Sequence, residues 1–470
     1  MNSPFGGAAE WPMPQAVHFI GIGGIGMSAL ARFFDSRGVR VSGYDRTQSA
    51  LTKELEVAGV NIHYEDDPSL APKDVQLVVY TPAVPPDHRE LEFYRSAGYP
   101  VLKRSEVLQL VTRSSFNICV AGTHGKTTIT TMIAHLLRHS GYGCTAFLGG
   151  ISVNYDTNYW GSDNNVFVLE ADEYDRSFLK LDPDVAVVSA MDPDHLDVYG
   201  TAEAMEEAFL EFSRRIRSSG MLVSKFGLAR SRELVAGRHL RYSLQNDSAD
   251  AFAANIRMES GTYEFDVQVG NETIENLKLN MGGMHNVENA VAAVTVASSL
   301  EIDPEKIRDA LDSFRGVRRR FEYVIPPGSR KLVFVDDYAH HPEELRALIS
   351  GARSLFRQYR CTIIFQPHLY TRTRDLAVGF AAALDLADEA VLLPIYPARE
   401  LPIGGVSSEM IRDRMERAKV TVKTKPELME WLRTEYMKGM NPEFGDLLIT
   451  AGAGDIDLLV DPIREILRTA

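Results

Sequence analysis

The sequence predicts an α/β fold repeated in three segments, and three observations predict it. Apolar, strand-like runs alternate with helical patterns in each of three stretches, the signature of parallel sheets with crossover helices. Two glycine-rich turns, at Gly21 and Gly122, each follow such a run and open a helical pattern. At 470 residues the chain exceeds one ordinary core, so several domains are expected. No apolar run approaches the length of a membrane span. The first fifteen residues carry no Lys or Arg and no apolar stretch, which excludes a secretory signal and points to the cytoplasm. Cys119, Cys144 and Cys361 lie in apolar segments without metal-ligand spacing, and read as small core residues in a reducing compartment. A net charge of −14 argues against a nucleic-acid partner. An acidic chain that handles anionic substrates must gather its positive groups locally.

The first segment is expected to span residues 1–113, with 1–14 as a loose tail. Val17–Ile20 reads as a strand, Met27–Asp35 as a helix, Val39–Tyr44 and Leu77–Tyr80 as buried strands. Gly21-Ile22-Gly23-Gly24-Ile25-Gly26 fits G-x-G-x-x-G between the first strand and the helix. Asp45 ends the next strand, near the spacing of a ribose-binding acid. The turn supports a dinucleotide or another nucleotide diphosphate, and the glycines do not say which. Glycines that only allow close helix–strand packing are the structural alternative.

The second segment is expected to span 114–327. The run Phe116–Val120 precedes Gly122-Thr123-His124-Gly125-Lys126-Thr127-Thr128, and Ile129–Leu137 continues as a helix. Backbone N–H groups of such a turn face a phosphate, and the helix N-terminus adds partial positive charge. Lys126 can reach the β- and γ-phosphates of ATP, and the Thr127 hydroxyl can sit on Mg²⁺. Val120 stands where the usual first glycine belongs, so the turn should be tighter. Two phosphate-binding turns imply two phosphorylated ligands, ATP and a nucleotide-linked substrate. Glu170 follows the strand Val166–Leu169, and His195 follows Val185–Ala190. Both fall at carboxyl ends of parallel strands, where they can converge near Lys126 and ligate Mg²⁺; a hydrogen-bonded loop histidine is the alternative for His195. Tyr263–Val269 alternates in polarity, like an antiparallel insert. Asn286 and Asn289 share one helical face. The cluster Arg315, Arg318, Arg319 and Arg320, flanked by Phe314 and Phe321, predicts a buried arginine that faces an anion.

The third segment, 328–470, carries the strands Leu332–Val335, Thr362–Phe365, Ala390–Leu393 and Leu447–Thr450. Boundaries fall near Thr112–Ser115 and Pro326–Arg330, where Pro, Gly or Ser interrupt the pattern.

Together the chain resembles the Mur ligase family, the ATP-dependent amide-bond ligases of peptidoglycan precursor synthesis. The resemblance runs from His18 to Asp457. It rests on Gly21–Ser28, Gly122–Thr128, Glu170–Phe178, Asp194–Asp197, His285–Ala290, Arg319–Glu322, Asp336–Pro342 and Phe365–Thr373. It implies a Rossmann-like N-terminal domain for a UDP-sugar, a central P-loop ATPase α/β domain and a Rossmann-like C-terminal domain that closes over ATP and an amino acid. It also implies ATP as co-substrate, two Mg²⁺ ions, and the joining of L-alanine to the lactyl carboxylate of UDP-N-acetylmuramate through an acyl phosphate.

By position, the resemblance implies that Gly21, Gly23, Gly24, Gly26, Met27, Ser28, Asp45 and His63 serve the UDP-sugar. Gly122, Thr123, His124, Gly125, Lys126, Thr127, Thr128, Asn286, Asn289, Arg320 and Asp337 would serve ATP, with the two asparagines on the adenine side, Arg320 on the phosphates and Asp337 on the ribose. Thr127, Glu170 and His195 would hold metal, and Lys126, Glu170, His195 and Arg320 would be catalytic. Tyr338, His340, His368 and Arg372 would surround the amino acid. No membrane span is expected, and the assembly is a monomer or homodimer.

The chain departs from the family at Leu369, where arginine is usual, so Arg372 must do more to hold the amino-acid carboxylate. Asn154–Asn158 departs from the usual G-x-N-A stretch. From Leu196 to Ser224 there is no lysine to form the carbamate bridge of some related ligases, which agrees with the alanine-adding type. A ligase that adds a tripeptide to the same sugar nucleotide, an NAD-dependent dehydrogenase and a nucleotide-gated ATPase are the alternatives. The dehydrogenase leaves Lys126, Glu170 and Asp337 unexplained.

Overall fold

A computed structural model of the chain describes residues 11–193, 196–259, 261–328, 330–398, 400–441 and 443–468. They fall into three sheets. The first has β1 (Ala16–Ile20), β2 (Arg40–Tyr44), β3 (Asn61–His63), β4 (Leu77–Tyr80) and β5 (Val101–Lys103), in the order β3-β2-β1-β4-β5. Every pair in it is parallel. β1 is buried along its whole length, which is why it reads as an uninterrupted apolar run. The chain order reverses beside β1, so the Gly21 turn lies at a topological switch point, where open α/β sheets bind ligands.

The second sheet comprises β6 (Phe116–Ala121), β7 (Thr145–Ser152), β8 (Thr157–Trp160), β9 (Val166–Glu170), β10 (Val185–Val188), β11 (Met221–Lys225), β12 (Arg238–Ser243), β13 (Ala251–Glu259), β14 (Thr262–Val269) and β15 (Glu272–Leu279). Its order is β15-β14-β13-β12-β11-β10-β6-β9-β7-β8. β6 pairs in parallel with β10 and β9, and Val120 stands opposite Glu170. Parallel register thus delivers Glu170 to the edge where the Gly122 turn begins. The expected insert is present as β14, with burial that alternates along the strand.

The third sheet comprises β16 (Glu322–Ile325), β17 (Leu332–Asp337), β18 (Arg360–Phe365), β19 (Glu389–Leu392), β20 (Lys419–Val422) and β21 (Asp446–Ala451), in the order β16-β17-β21-β18-β19-β20. Only β16 is antiparallel to its neighbour.

By compactness the chain divides into two units. One takes in residues through Ala254 with Asp266–Glu275 and Glu288–Leu311; the other takes in Asn255–Phe265, Asn276–Val287 and Asp312 onward. In the first unit, Phe33 of the helix Ile25–Ser36 packs on Phe147, Tyr159 and Phe167, so the first two sheets share a core. Residues 1–10 of the expected tail lie outside the described residues. Within it, Trp11 packs edge-on against Phe34 at 6.3 Å, so the loose stretch is shorter than expected. The three cysteines are free and buried, as expected of core residues.

Candidate functional site

The Gly21 turn is built on close approach. Gly21 has φ +87°, and a Cβ at Gly23 would come within 2.8 Å of the Asp45 carboxylate. The Gly23 N–H donates to Asp45 Oδ2 at 2.7 Å and the Thr47 N–H to Oδ1 at 3.2 Å. Asp45 therefore braces the turn from the end of β2. Met27 lines a cavity beside the turn. Ser28 is a correction. It is fully buried; its hydroxyl donates to the Ile25 carbonyl and accepts from Asn158 Nδ2, so it holds the turn to its neighbours instead of facing a ligand. Asn158 belongs to the stretch that departs from the family pattern, and its place in the core explains what it does there.

His63 is half-buried, and its Nε2 lies 3.3 Å from Glu90 Oε2. The fully buried His18 meets the other oxygen of Glu90 at 2.9 Å. The two imidazoles hold the Glu90 carboxyl down at about 2 against the opposing effect of burial, which is the larger single cause. Burial drives His18 the other way, below the usual histidine range. Glu90 and His18 carry no motif signal in the sequence, because the carboxylate comes from an ordinary amphipathic helix, Arg89–Ser96.

The Gly122 turn opens the helix Lys126–His139. Gly122 (φ +133°) and Gly125 (φ +80°) adopt backbone that favours glycine. A Cβ at Gly122 would strike Ser189 and Ala190. Thr123 is tied to β10's exit: its N–H donates to the Ala190 carbonyl, and its hydroxyl accepts from the Asp192 N–H at 3.2 Å. His124 is exposed, 3.5 Å from Asp192. Thr128 is buried in the first helical turn. Asn289 lies against the turn, its Oδ1 2.7 Å from where a Gly125 Cβ would be. Asn286 donates to the Gly282 carbonyl at 2.6 Å.

Lys126 Nζ donates to the Gly122 carbonyl at 2.8 Å and to Glu173 Oε1 at 2.7 Å. Sequence reasoning passed over Glu173, which lies just after β9 at the entrance to an irregular turn in which Asp175 and Arg176 both have positive φ. Burial pushes the Glu173 carboxyl up, and Lys126 pulls it back. The Thr127 hydroxyl donates to Glu170 Oε1 at 3.2 Å. A Cβ at Gly149 would fall 2.0 Å from Glu170 Oε2, so only glycine fits on β7 at that point. A hydroxyl and a carboxylate in contact form an oxygen-only donor pair of the kind Mg²⁺ prefers, with phosphates and water to complete the shell. His195 lies outside the described residues. Among the described residues no cluster of three His, Cys, Asp or Glu side chains stands ready to hold a metal.

In the second unit, Asp337 ends β17, and its carboxylate accepts from the Phe321 N–H (2.7 Å) and the Ala339 N–H (2.8 Å). Burial raises it to about 6. The arginine cluster resolves differently from expectation. The more enclosed arginine is the partly buried Arg319, which lies 3.6 Å from both Asp336 and Asp457, bonds the Gly452 carbonyl and covers the Tyr338 ring at 5.0 Å. Arg318 and Arg320 on either side of it are exposed, and no sequence signal distinguishes the three. The amino-acid set does converge. The Tyr338 and His340 rings are 5.2 Å apart, His340 and His368 6.2 Å, and Arg372 Nη1 lies 3.4 Å from His368 Nδ1. Leu369 has φ +70° at the start of the helix Tyr370–Leu384.

Three family models match in succession: "Mur ligase family, catalytic domain" over residues 16–115, "Mur ligase middle domain" over 120–297 and "Mur ligase, glutamate ligase domain" over 319–454. The chain is 47% identical to a UDP-N-acetylmuramate–L-alanine ligase of Parabacteroides distasonis, over 96% of this chain and 97% of that protein. It is 45% identical to one from Porphyromonas gingivalis, over 97% and 99%. The crystal structure of the UDP-N-acetylmuramate–alanine ligase of Thermotoga maritima superposes with a TM-score of 0.81 at 29% identity, covering 97% of this chain and 99% of that one. A murein peptide ligase from Psychrobacter arcticus shares the fold, with a TM-score of 0.67 at 23% identity.

Proposed function

The chain belongs to the Mur ligase family and has its three-domain architecture, and from that premise we propose that it is the ATP-dependent ligase joining L-alanine to UDP-N-acetylmuramate in peptidoglycan precursor synthesis. The observation that carries the reading is the Gly122 turn, where Lys126 and the Thr127–Glu170 pair face one strand edge. Among the described residues no helix is long and apolar enough to cross a membrane. The use of a nucleotide-sugar substrate and ATP supports a cytoplasmic reaction.

The lactyl carboxylate attacks the γ-phosphorus of ATP, an acyl phosphate forms, and ADP leaves. The amine of L-alanine then attacks the acyl carbon. The tetrahedral intermediate gives up a proton and expels phosphate to leave the amide. The protein supplies position and charge. Lys126 exchanges Glu173 for the β- and γ-phosphate oxygens. Thr127 and Glu170 would hold Mg²⁺, which when bound neutralises phosphate charge. Asn289 packs beside the turn; the exposed Arg320 takes the phosphates; Asp337 takes the ATP ribose. Tyr338, His340, His368 and Arg372 form the alanine pocket, with Arg372 as the bidentate partner of its carboxylate.

The test is phosphate release. It should require UDP-N-acetylmuramate and an amino acid together, with L-alanine preferred in an amino-acid panel. Release driven by the tripeptide and not by L-alanine would select the tripeptide-adding ligase instead. Release with ATP alone would refute ligation.

A further inference from the structure

A cavity of about 250 Å³ lies within the first unit, between the Gly21 turn and β9. Gly26 and Met27 of the helix that follows the turn line it, together with Glu170 and Asp172. Arg104 is the only basic side chain in its lining, and it also lines a smaller adjoining space with Glu170 and Asp172. Arg104 opens the helix Arg104–Thr112, directly after β5. Its guanidinium lies against the first turn of the helix Ile25–Ser36: a Cβ on Gly26 would come within 2.6 Å of Nη1. The side chain is partly buried, yet among the described residues it makes no hydrogen bond or ion pair. Its neighbour Lys103, by contrast, is engaged with Asp175 at 3.1 Å.

A guanidinium whose five donors no protein group uses is open to an acceptor brought into the cavity. The two lining carboxylates would repel an anion brought into the cavity unless a cation stood beside it. The diphosphate of a nucleotide sugar already has the N-terminus of the helix Ile25–Ser36, whereas the N–H groups of Gly21 to Gly24 are spent within the turn. The group left without a counter-charge is the carboxylate that must reach the vicinity of Glu170 to react. We propose that Arg104 binds the reacting carboxylate of the sugar nucleotide through its planar fork and holds it in the space that Arg104 and Glu170 line together. The inference rests on the substrate assigned under Proposed function. Gly26 is then glycine in part because any side chain would displace the guanidinium.

Calorimetric titration of the full-length protein with three probes tests this: UDP-N-acetylmuramate, UDP-N-acetylglucosamine, which lacks the lactyl carboxylate, and UDP. Arg104→Gln should weaken UDP-N-acetylmuramate about ten- to a hundredfold, the loss of a charged hydrogen-bond pair. It should leave the other two ligands and the KM for ATP unchanged. Arg104→Lys should fall between, since it keeps charge and loses the fork. Equal weakening of all three probes would assign Arg104 to the diphosphate, and no change in any would make it structural; either result overturns the proposal. Unfolding of Arg104→Gln would show as a lost thermal midpoint, and Arg104→Lys then decides on the same criteria. Failure of the unaltered protein to bind UDP-N-acetylmuramate would instead refute the substrate reading.

Discussion

Replacing Lys126 with methionine should damage stability and catalysis by separable amounts. Lys126 Nζ lies 2.7 Å from Glu173 Oε1, with side-chain exposures of 14% and 1%. Removing one partner of a buried ion pair costs about 3–5 kcal/mol, because the remaining charge keeps its desolvation and loses its counter-ion. Burial already pushes the Glu173 carboxyl up, so in Lys126→Met part of the loss is relieved by proton uptake. The double variant Lys126→Met with Glu173→Gln removes the stranded charge and should regain most of that stability. Turnover behaves differently. A lost charge contact to the transferring phosphoryl group costs about a hundred- to a thousandfold in kcat, and neutralising Glu173 restores none of it. Thermal midpoints and phosphate release at saturating ATP, measured on both variants, read the two effects. Turnover within tenfold of the unaltered protein in either variant refutes the phosphate role. A double variant no more stable than Lys126→Met refutes the buried pair.

Further outcomes follow from the same contacts. Gly149→Ala should lower kcat about a hundredfold and raise the Mg²⁺ requirement, because its Cβ would fall 2.0 Å from Glu170 Oε2 and displace a group that must be placed to within about an ångström; unchanged Mg²⁺ dependence would show that Glu170 holds no metal. His135, bonded to the Ala310 carbonyl and to Tyr155, is lowered by burial to about 4. The unfolded chain therefore takes up its proton first, and the stability it contributes, up to about 3 kcal/mol, is lost as pH falls from 6.5 through about 4. In His135→Gln the thermal midpoint should change less between pH 7 and pH 4 than in the unaltered protein, and an identical profile would refute the assignment. Arg372→Lys should raise the KM for L-alanine about tenfold, the loss of one charged hydrogen bond, with the KM for ATP unchanged; Leu369→Arg should recover part of it in that background, and an effect on ATP alone would move Arg372 to the nucleotide.

Much of this was legible in the sequence, for a physical reason. Strands buried on both faces leave continuous apolar runs, so β1, β6, β9, β10 and β17 stand out, and functional groups at their carboxyl ends are found by counting to the end of each run. Glu170 is located this way, whereas Asp337 is implied only by the family resemblance. What stayed hidden sits where no period applies. Glu173 begins an irregular turn. Arg319 and Arg320 differ in burial though adjacent. Arg104 and Glu90 sit in the first turns of ordinary amphipathic helices. Ser28 shows the opposite error, in which motif membership was taken for ligand contact although its hydroxyl is spent inside the fold.

The groups that hold the turns also bear on binding. This acidic chain braces the turns proposed to bind its ligands with carboxylates: Asp45 on the Gly23 N–H, Glu173 on Lys126, and Asp337 on the N–H groups of Phe321 and Ala339. In the first unit, Lys126 is already neutralised before ATP arrives. Phosphate must therefore exchange for Glu173, and an exchanged ion pair contributes little to ground-state affinity. The same lysine contributes more once charge shifts on the phosphoryl group during transfer, because Glu173 offers no comparable partner for that change. An interaction that strengthens only toward the transition state raises kcat without tightening substrate binding. Glu173→Gln should accordingly tighten ATP binding while leaving kcat the same or lower, and weaker ATP binding in that variant would refute the exchange.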